Sequence, residues 1–299
     1  MSSEALAKKK WTSGSKPLIV ILYITLAYLF IVQAYPFFWS VKVSLTDQKI
    51  GKSGAFIGFA NYLSLIEDPT FWMAMRFTFE FVFLTVLFKL LFGMLMALTL
   101  NKPFRFRALW RALLFLPWAL PTLTSVLTWR WMLGDIGGII NFGLQKMHLI
   151  DRPLAWLGNP VLAEISVMVV NIWRGIPFFG ISILAALQSI PSELYEAAVV
   201  DGANTWRLFW SITVPSIMKS IMLVSLISMI WTFGDFSIIW IMTRGGPANH
   251  THVLSTLSYI QAFQNLDVAK GIATSLFIVP IAILLMWFTL RLIQHGDEQ

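Results

Sequence analysis

Very few side chains in this sequence are suited to making or breaking covalent bonds. It contains no cysteine, which excludes disulfides, thiolate metal sites and cysteine nucleophiles. Its four histidines, His148, His250, His252 and His295, have no spacing that would assemble a zinc site, so no metal is expected. The phosphate-cradling Gly-x-x-x-x-Gly-Lys-Ser/Thr loop is also missing. Gly51, Lys52 and Ser53 imitate its end, but Thr46 stands where the first glycine belongs. What the chain does contain is polar chemistry in apolar surroundings. Two apolar runs carry polar and aromatic residues together, at 171–178 and at 231–235, and Glu80 and Lys89 fall in a third. A charged side chain at the centre of a membrane helix costs about 2.5 to 3.5 kcal/mol on insertion scales. Arg174 and Asp235 are therefore expected to face a bundle interior or water, either paired with each other or touching a ligand. Glu80 and Lys89 lie nine positions apart, half a turn out of phase on a helix, which points to packing or partner contacts rather than a mutual pair.

The elements that must hold these residues are membrane spans. Of the 299 residues 57% are hydrophobic and only 12% charged, against about 25% charged in a soluble domain. Runs of about 20 mostly apolar residues match the hydrocarbon thickness of a bilayer. Six occur, at roughly 18–41, 77–100, 112–133, 161–187, 221–242 and 272–290. The first is too long for a signal-peptide core and has no small-residue cleavage site behind it, so it counts as a span. The fold class expected is all-α, a polytopic six-span transmembrane bundle. It comprises a tail at 1–17, a membrane domain at 18–290 and a second tail at 291–299. The net charge of +7 comes from clusters at the edges of apolar runs, a topological signal rather than a nucleic-acid surface. Lys8, Lys9, Lys10 and Lys16 crowd the N-terminal tail, and Lys102, Arg105, Arg107 and Arg111 the loop after the second span. Both termini are expected to be cytoplasmic. The segments 51–70 and 134–160 then become short, partly structured outer loops.

One loop on the cytoplasmic side, 190–215, reads as helix, break, helix. Pro191 interrupts the chain, Ser192 is the expected cap, and Glu193 and Glu196 sit where the helix dipole favours acids. Gly202 ends the short helix, and Pro215 stands where the fifth span can begin. Ala197, Ala198 and Ala203 let another surface approach the backbone, while Leu194, Val199 and Phe209 offer apolar anchors. On physical grounds this is either a docking element or an amphipathic helix lying on the membrane. Glu196, Ala197 and Ala198, followed after three residues by Gly202 and after nine more by Ile212, Val214 and Pro215, resemble the EAA motif of ATP-binding cassette (ABC) importer permeases. Val214 replaces the usual leucine. With Asp201 and Ala203 the pattern is similar to the carbohydrate-uptake branch of that family. The resemblance implies that the short helix is a coupling helix seated in a cleft of an ATPase subunit, where Glu196 would pair with a basic residue. It implies a second homologous permease subunit forming a heterodimer, two ABC ATPase subunits carrying ATP and Mg, and an extracytoplasmic solute-binding protein. No cofactor would be bound by this chain, and the setting would be a bacterial or archaeal cytoplasmic membrane.

Thr243, Arg244, Gly245, Gly246 and Pro247, with Thr251, Ala262 and Phe263 beyond, resemble the outer loop of the maltose-type first permease subunit. The stretch holding Phe56, Gly58, Asn61 and Tyr62 supports the same branch, in its compact six-span form. The resemblance makes Gly245, Gly246 and Pro247 a binding-protein docking loop. It also brings the family's sugar-lining positions onto Asn171, Arg174, Gly175, Phe178, Trp231, Thr232 and Asp235. Only Asn171 and Gly175 keep the family's residue types, so maltose itself is not implied. Sugars bind through hydrogen bonds to hydroxyls and stacking on ring faces, which suits this set. Arg174 would meet an anionic group if the sugar carries one. Gly175 and Pro177 are expected to loosen the fourth span, as interrupted helices do where they line a cavity. The function implied is import of a carbohydrate or polyol by alternating access driven by a separate ATPase, with no catalysis in this chain. The alternative is a secondary transporter using an ion gradient through Glu80, Glu164 or Asp235.

Overall fold

A computed structural model describes residues 16–295. The lysine cluster at Lys8, Lys9 and Lys10 and the end of the C-terminal tail lie outside the described residues. Among the described residues every regular element is helical, with a single antiparallel bridge between Thr46 and Phe56. Five helices are long and apolar enough to cross a membrane, and a bent pair makes the sixth. The first span runs through Lys16–Leu29, a π turn at Phe30–Ala34 and Tyr35–Ser44. The second is Pro69–Asn101, started by the Asp68 carboxylate, which accepts the Thr70 N–H at 2.8 Å, and by proline in the first turn. The fourth is Pro160–Gln188, capped by the Asn159 side chain on the Leu162 N–H. The sixth joins Val268–Leu276 to Ile278–His295, running past the expected end at 290.

Three spans differ from the sequence expectation, each for a backbone reason. The third is not straight: Arg107–Ala119 and Thr122–Met132 meet at 89°. Pro121 forces Leu120 out of the helical region, to ψ 141°, because its ring crowds the preceding residue. The fourth span, expected to loosen at Gly175 and Pro177, is continuous. One missing N–H at Pro177 is tolerated with Phe179, Gly180 and Ile183 packed around that turn. The fifth span starts at Thr205, not at 221, because Asn204 caps it by accepting the Arg207 N–H at 2.9 Å. It then runs through Thr205–Leu208, a π turn at Phe209–Thr213 and Val214–Phe233. Pro215 therefore lies inside a continuous helix rather than at its start. The π turn directly before it shifts the hydrogen-bond register where the proline cannot donate. The fifth span ends at Phe233, and Ser237–Met242 is a separate short helix.

The second and fourth spans form the main helix pair of the bundle. Their shared core has two apolar layers. One gathers Phe77, Phe81, Val167 and Val170 with Val126, Ile239 and Met242. The other gathers Met96, Leu100, Phe179 and Ile183 with Ile217 and Val224. Along the fourth and fifth spans the polar residues at 171, 174 and 232 fall between these layers, and Lys89 reaches Thr232 from the second span. The first span is exposed along nearly all its length within this chain, with Leu18, Ile24, Phe30 and Phe38 uncovered, as lipid-facing side chains are in a protein whose solvent is hydrocarbon.

Candidate functional site: a polar cavity between two apolar layers

All seven residues expected from the sequence line one cavity of about 260 Å³. Asn171, Arg174, Gly175 and Phe178 come from the fourth span, and Trp231, Thr232 and Asp235 from the C-terminal end of the fifth and the break that follows it. The break at Gly234 lets Asp235 turn inward. Its Oδ1 accepts the Ile238 N–H at 3.2 Å, and its Oδ2 accepts from the Asn171 side-chain amide at 2.9 Å. Because a carboxylate only accepts, this bond fixes Asn171 with its NH₂ toward Asp235. Asn171 Oδ1 is then left buried with no partner. A buried unsatisfied acceptor costs about 1 to 3 kcal/mol, and this one is closed off from the cavity itself. The Phe178 and Trp231 rings pack 4.9 Å apart at 49°, an apolar platform beside these polar groups.

Arg174 and Asp235 do not form the direct pair that the sequence left open. Arg174 Nη1 donates to the Leu120 carbonyl at 3.3 Å and to Ser125 Oγ at 3.1 Å, and Nη2 to Thr122 Oγ1 at 2.9 Å. The guanidinium thus fastens the fourth span to the bend of the third, taking up a carbonyl that the break at Pro121 released. Thr122 and Trp118 join the cavity wall through this bend. Sequence reasoning missed them because an unbroken third span would not present both.

Lys89 is the larger omission. It lines the same cavity, is 4% exposed, and donates from Nζ to Thr232 Oγ1 at 3.1 Å. Its path runs directly over Gly175, where a Cβ would stand 2.6 Å from Lys89 Cδ and Cε. Gly175 is therefore a groove for a lysine side chain rather than a hinge. Glu80, out of phase as expected, lies elsewhere and pairs with Arg76 at 3.5 Å. Glu164 accepts from Arg76 at 3.2 Å and lies 3.3 Å from His250 Nδ1, away from the cavity.

The 190–215 loop contains the helix Ser192–Val200, followed by Gly202 at φ 78°. Pro191, not Ser192, occupies the capping position, and no side chain caps this helix. Glu196, Ala197, Asp201, Gly202 and Pro215 are exposed, and Ala198 and Ala203 are half-buried. Val200 and Trp206 are 87% and 72% exposed, a large apolar surface next to the acidic residue.

The Gly245–Gly246–Pro247 turn proves to be internally packed. Gly245 is buried at φ 87°, and a Cβ there would enter the His252 ring. Thr251 Oγ1 donates to the Gly246 carbonyl and lies 2.7 Å from Thr243 Oγ1. The exposed residues of this loop are Arg244, Ala248 and Asn249. His252 Nδ1 lies 3.1 Å from Thr256 Oγ1, which also lies 2.9 Å from the Val253 carbonyl. Burial holds the His252 pKa below the ordinary imidazole value. The folded loop thus resists protonation that the unfolded chain accepts near pH 6.5. Stability contributed here is complete above that pH and is lost as pH falls through the lower folded value. Thermal unfolding in detergent at pH 7.5 and 5.0 measures it: the acid-side drop in Tm should be smaller in His252→Gln than in the parent.

Comparison with known proteins places the chain. Residues 89–295 match the family described as binding-protein-dependent transport system inner membrane component. The trehalose/maltose transport system permease protein MalF of Thermococcus litoralis is 32% identical over 299 residues, covering 99% of this chain and 98% of that protein. The sulfoquinovosyl glycerol transport system permease protein SmoG of Agrobacterium fabrum is 32% identical over 281 residues, covering 94% and 89%. A bacterial ABC transporter involved in the import of the acidic polysaccharide alginate shares the fold, with a TM-score of 0.80 at 22% identity over 97% of this chain and 99% of that one. These similarities decide against an ion-gradient transporter and against an enzyme. The chain belongs to the binding-protein-dependent transport system inner membrane component family, the permease subunits of ABC importers.

Proposed function

We propose that this permease carries a carbohydrate or a related polyol, delivered by an extracytoplasmic binding protein and released to the cytoplasm. The observation that carries this reading is the cavity, where the Phe178–Trp231 platform for a ring face lies beside the polar side chains of Lys89, Thr122, Arg174 and Ser228. The relatives MalF, of a trehalose/maltose transport system, and SmoG, of a sulfoquinovosyl glycerol transport system, support the same cargo class. The exposed helix Ser192–Val200 with Glu196 docks on an ABC ATPase, which with its twin holds ATP and Mg. A sister permease completes the membrane pathway as a heterodimer. Both tails, 1–17 and 291–299, are cytoplasmic, and the loop around Gly245, Gly246 and Pro247 faces the binding protein through its exposed members Arg244, Ala248 and Asn249.

In this cycle the loaded binding protein docks outside and the ATPases close around ATP. The coupling helices then turn the cavity outward, and hydrolysis resets it. Each step is a population shift between two arrangements, driven by whichever partner binds one better. Sugar uptake is expected only when sister permease, ATPase and binding protein are expressed with this chain. Accumulation by this chain alone would overturn the reading.

A further inference from the structure

We propose that the cargo carries an acidic group, and that Lys89 and Arg174 read it. This rests on the carbohydrate reading above and names the chemistry of the sugar. The cavity contains two cations and one carboxylate. The carboxylate, Asp235, accepts from Asn171 and the Ile238 N–H and attracts both cations through space, which leaves one positive charge in excess. Among the described residues neither Lys89 nor Arg174 has a carboxylate oxygen within 4 Å. Buried charges are ordinarily paired, because desolvation without compensation is costly. Lys89 is nonetheless almost fully buried with one hydroxyl, Thr232, as its hydrogen-bond partner. An ammonium has three donors, so two remain for a ligand.

Arg174 is held in place by Leu120, Thr122 and Ser125. Those bonds use three of the five guanidinium N–H groups, leaving part of a planar donor edge, the geometry that matches carboxylate, sulfonate or phosphate oxygens. An acidic sugar here balances the excess positive charge. Its acid group lies on Lys89 and the free edge of Arg174, and its ring lies on Phe178 and Trp231. The arrangement also explains why the lysine comes from the second span over a glycine groove: the charge reaches the cavity without displacing the aromatic platform.

The test gives cells expressing the complete importer an equimolar mixture of neutral sugars (glucose, maltose, glycerol glucoside) and acidic ones (glucuronate, galacturonate, a 6-sulfonated glucose, glucose 6-phosphate). Accumulated compounds are identified by mass spectrometry against cells whose importer carries Glu196→Ala. Accumulation of one or more acidic sugars is expected. Lys89→Met should then raise the KM for that sugar by about tenfold or more, the loss of one charge-assisted hydrogen bond. Asp235→Asn, which keeps an acceptor for the Ile238 N–H, should lower the KM. Opposite shifts separate charge recognition from damaged packing, since misfolding would impair both variants alike. Accumulation of neutral sugars alone overturns the acidic cargo while leaving the permease reading intact. So do KM shifts of the same sign in both variants. Accumulation of none of the sugars overturns the carbohydrate reading and this inference with it.

Discussion

Glu196→Ala should reduce ATP-driven uptake by two to three orders of magnitude while leaving the chain's abundance and thermal stability unchanged. The carboxylate is exposed within this chain, so removing it disturbs no internal contact. On the proposed docking, the ATPase surface would cover it together with Val200 and Trp206, both exposed in this chain. Breaking a buried charge pair by deleting one member costs about 3 to 5 kcal/mol, because the other charge stays buried and alone. At about 1.4 kcal/mol per decade this is a loss of roughly a hundredfold to a few thousandfold in coupling. Uptake and ATP hydrolysis, both measured on the assembled importer, separate the outcomes. Uptake should collapse while residual hydrolysis persists uncoupled from transport. Uptake within twofold of the parent would mean that Glu196 is not at the contact.

Gly245→Ala should be strongly destabilising, for two reasons that add. A side chain at φ 87° pays about 1 to 2 kcal/mol for a left-handed backbone. The new methyl group also meets the His252 ring, and overpacking of this kind costs about 1 to 3 kcal/mol more. A loss of about 2 to 5 kcal/mol is expected, read as a fall in Tm in detergent. His252→Ala placed beside it should recover the steric part and leave the backbone part. By contrast, Asn249→Asp, at the exposed tip and compatible with the left-handed backbone at φ 66°, should leave Tm unchanged and weaken stimulation by the binding protein. An unchanged Tm in Gly245→Ala would show that the turn is not held by this packing.

The cavity was largely legible in the sequence because its residues are chemically conspicuous: a polar or charged side chain in an apolar run has few places to go. Trp118 and Thr122 were not legible, since their position depends on the bend at Leu120 and Pro121. The signal for that bend was there, two prolines four residues apart at 117 and 121 in a single presumed span. Lys89 was assessed only against Glu80 on its own helix, whereas its partners are on two others. A glycine at 175 with no turn to make was the available hint that something long packs against it. The start of the fifth span was misjudged because Pro215 looks like a first-turn proline, and a π turn has no compositional mark. The Gly-Gly-Pro segment was recognisable, but only packing distinguishes a buried scaffold from the surface it presents.

The unbroken helix from Thr205 to Phe233 contains 29 residues, about 43 Å at 1.5 Å per residue. One end is fixed by Asn204, directly after the Glu196 segment, and the other carries Trp231 and Thr232. A rigid rod of that length is a lever. A tilt of a few degrees imposed where the ATPase would grip becomes a displacement of ångströms at the aromatic platform, enough to part Trp231 from Phe178. The π turn keeps the rod whole across Pro215, so a push at the Asn204 end would reach Trp231 and Thr232 without being absorbed on the way.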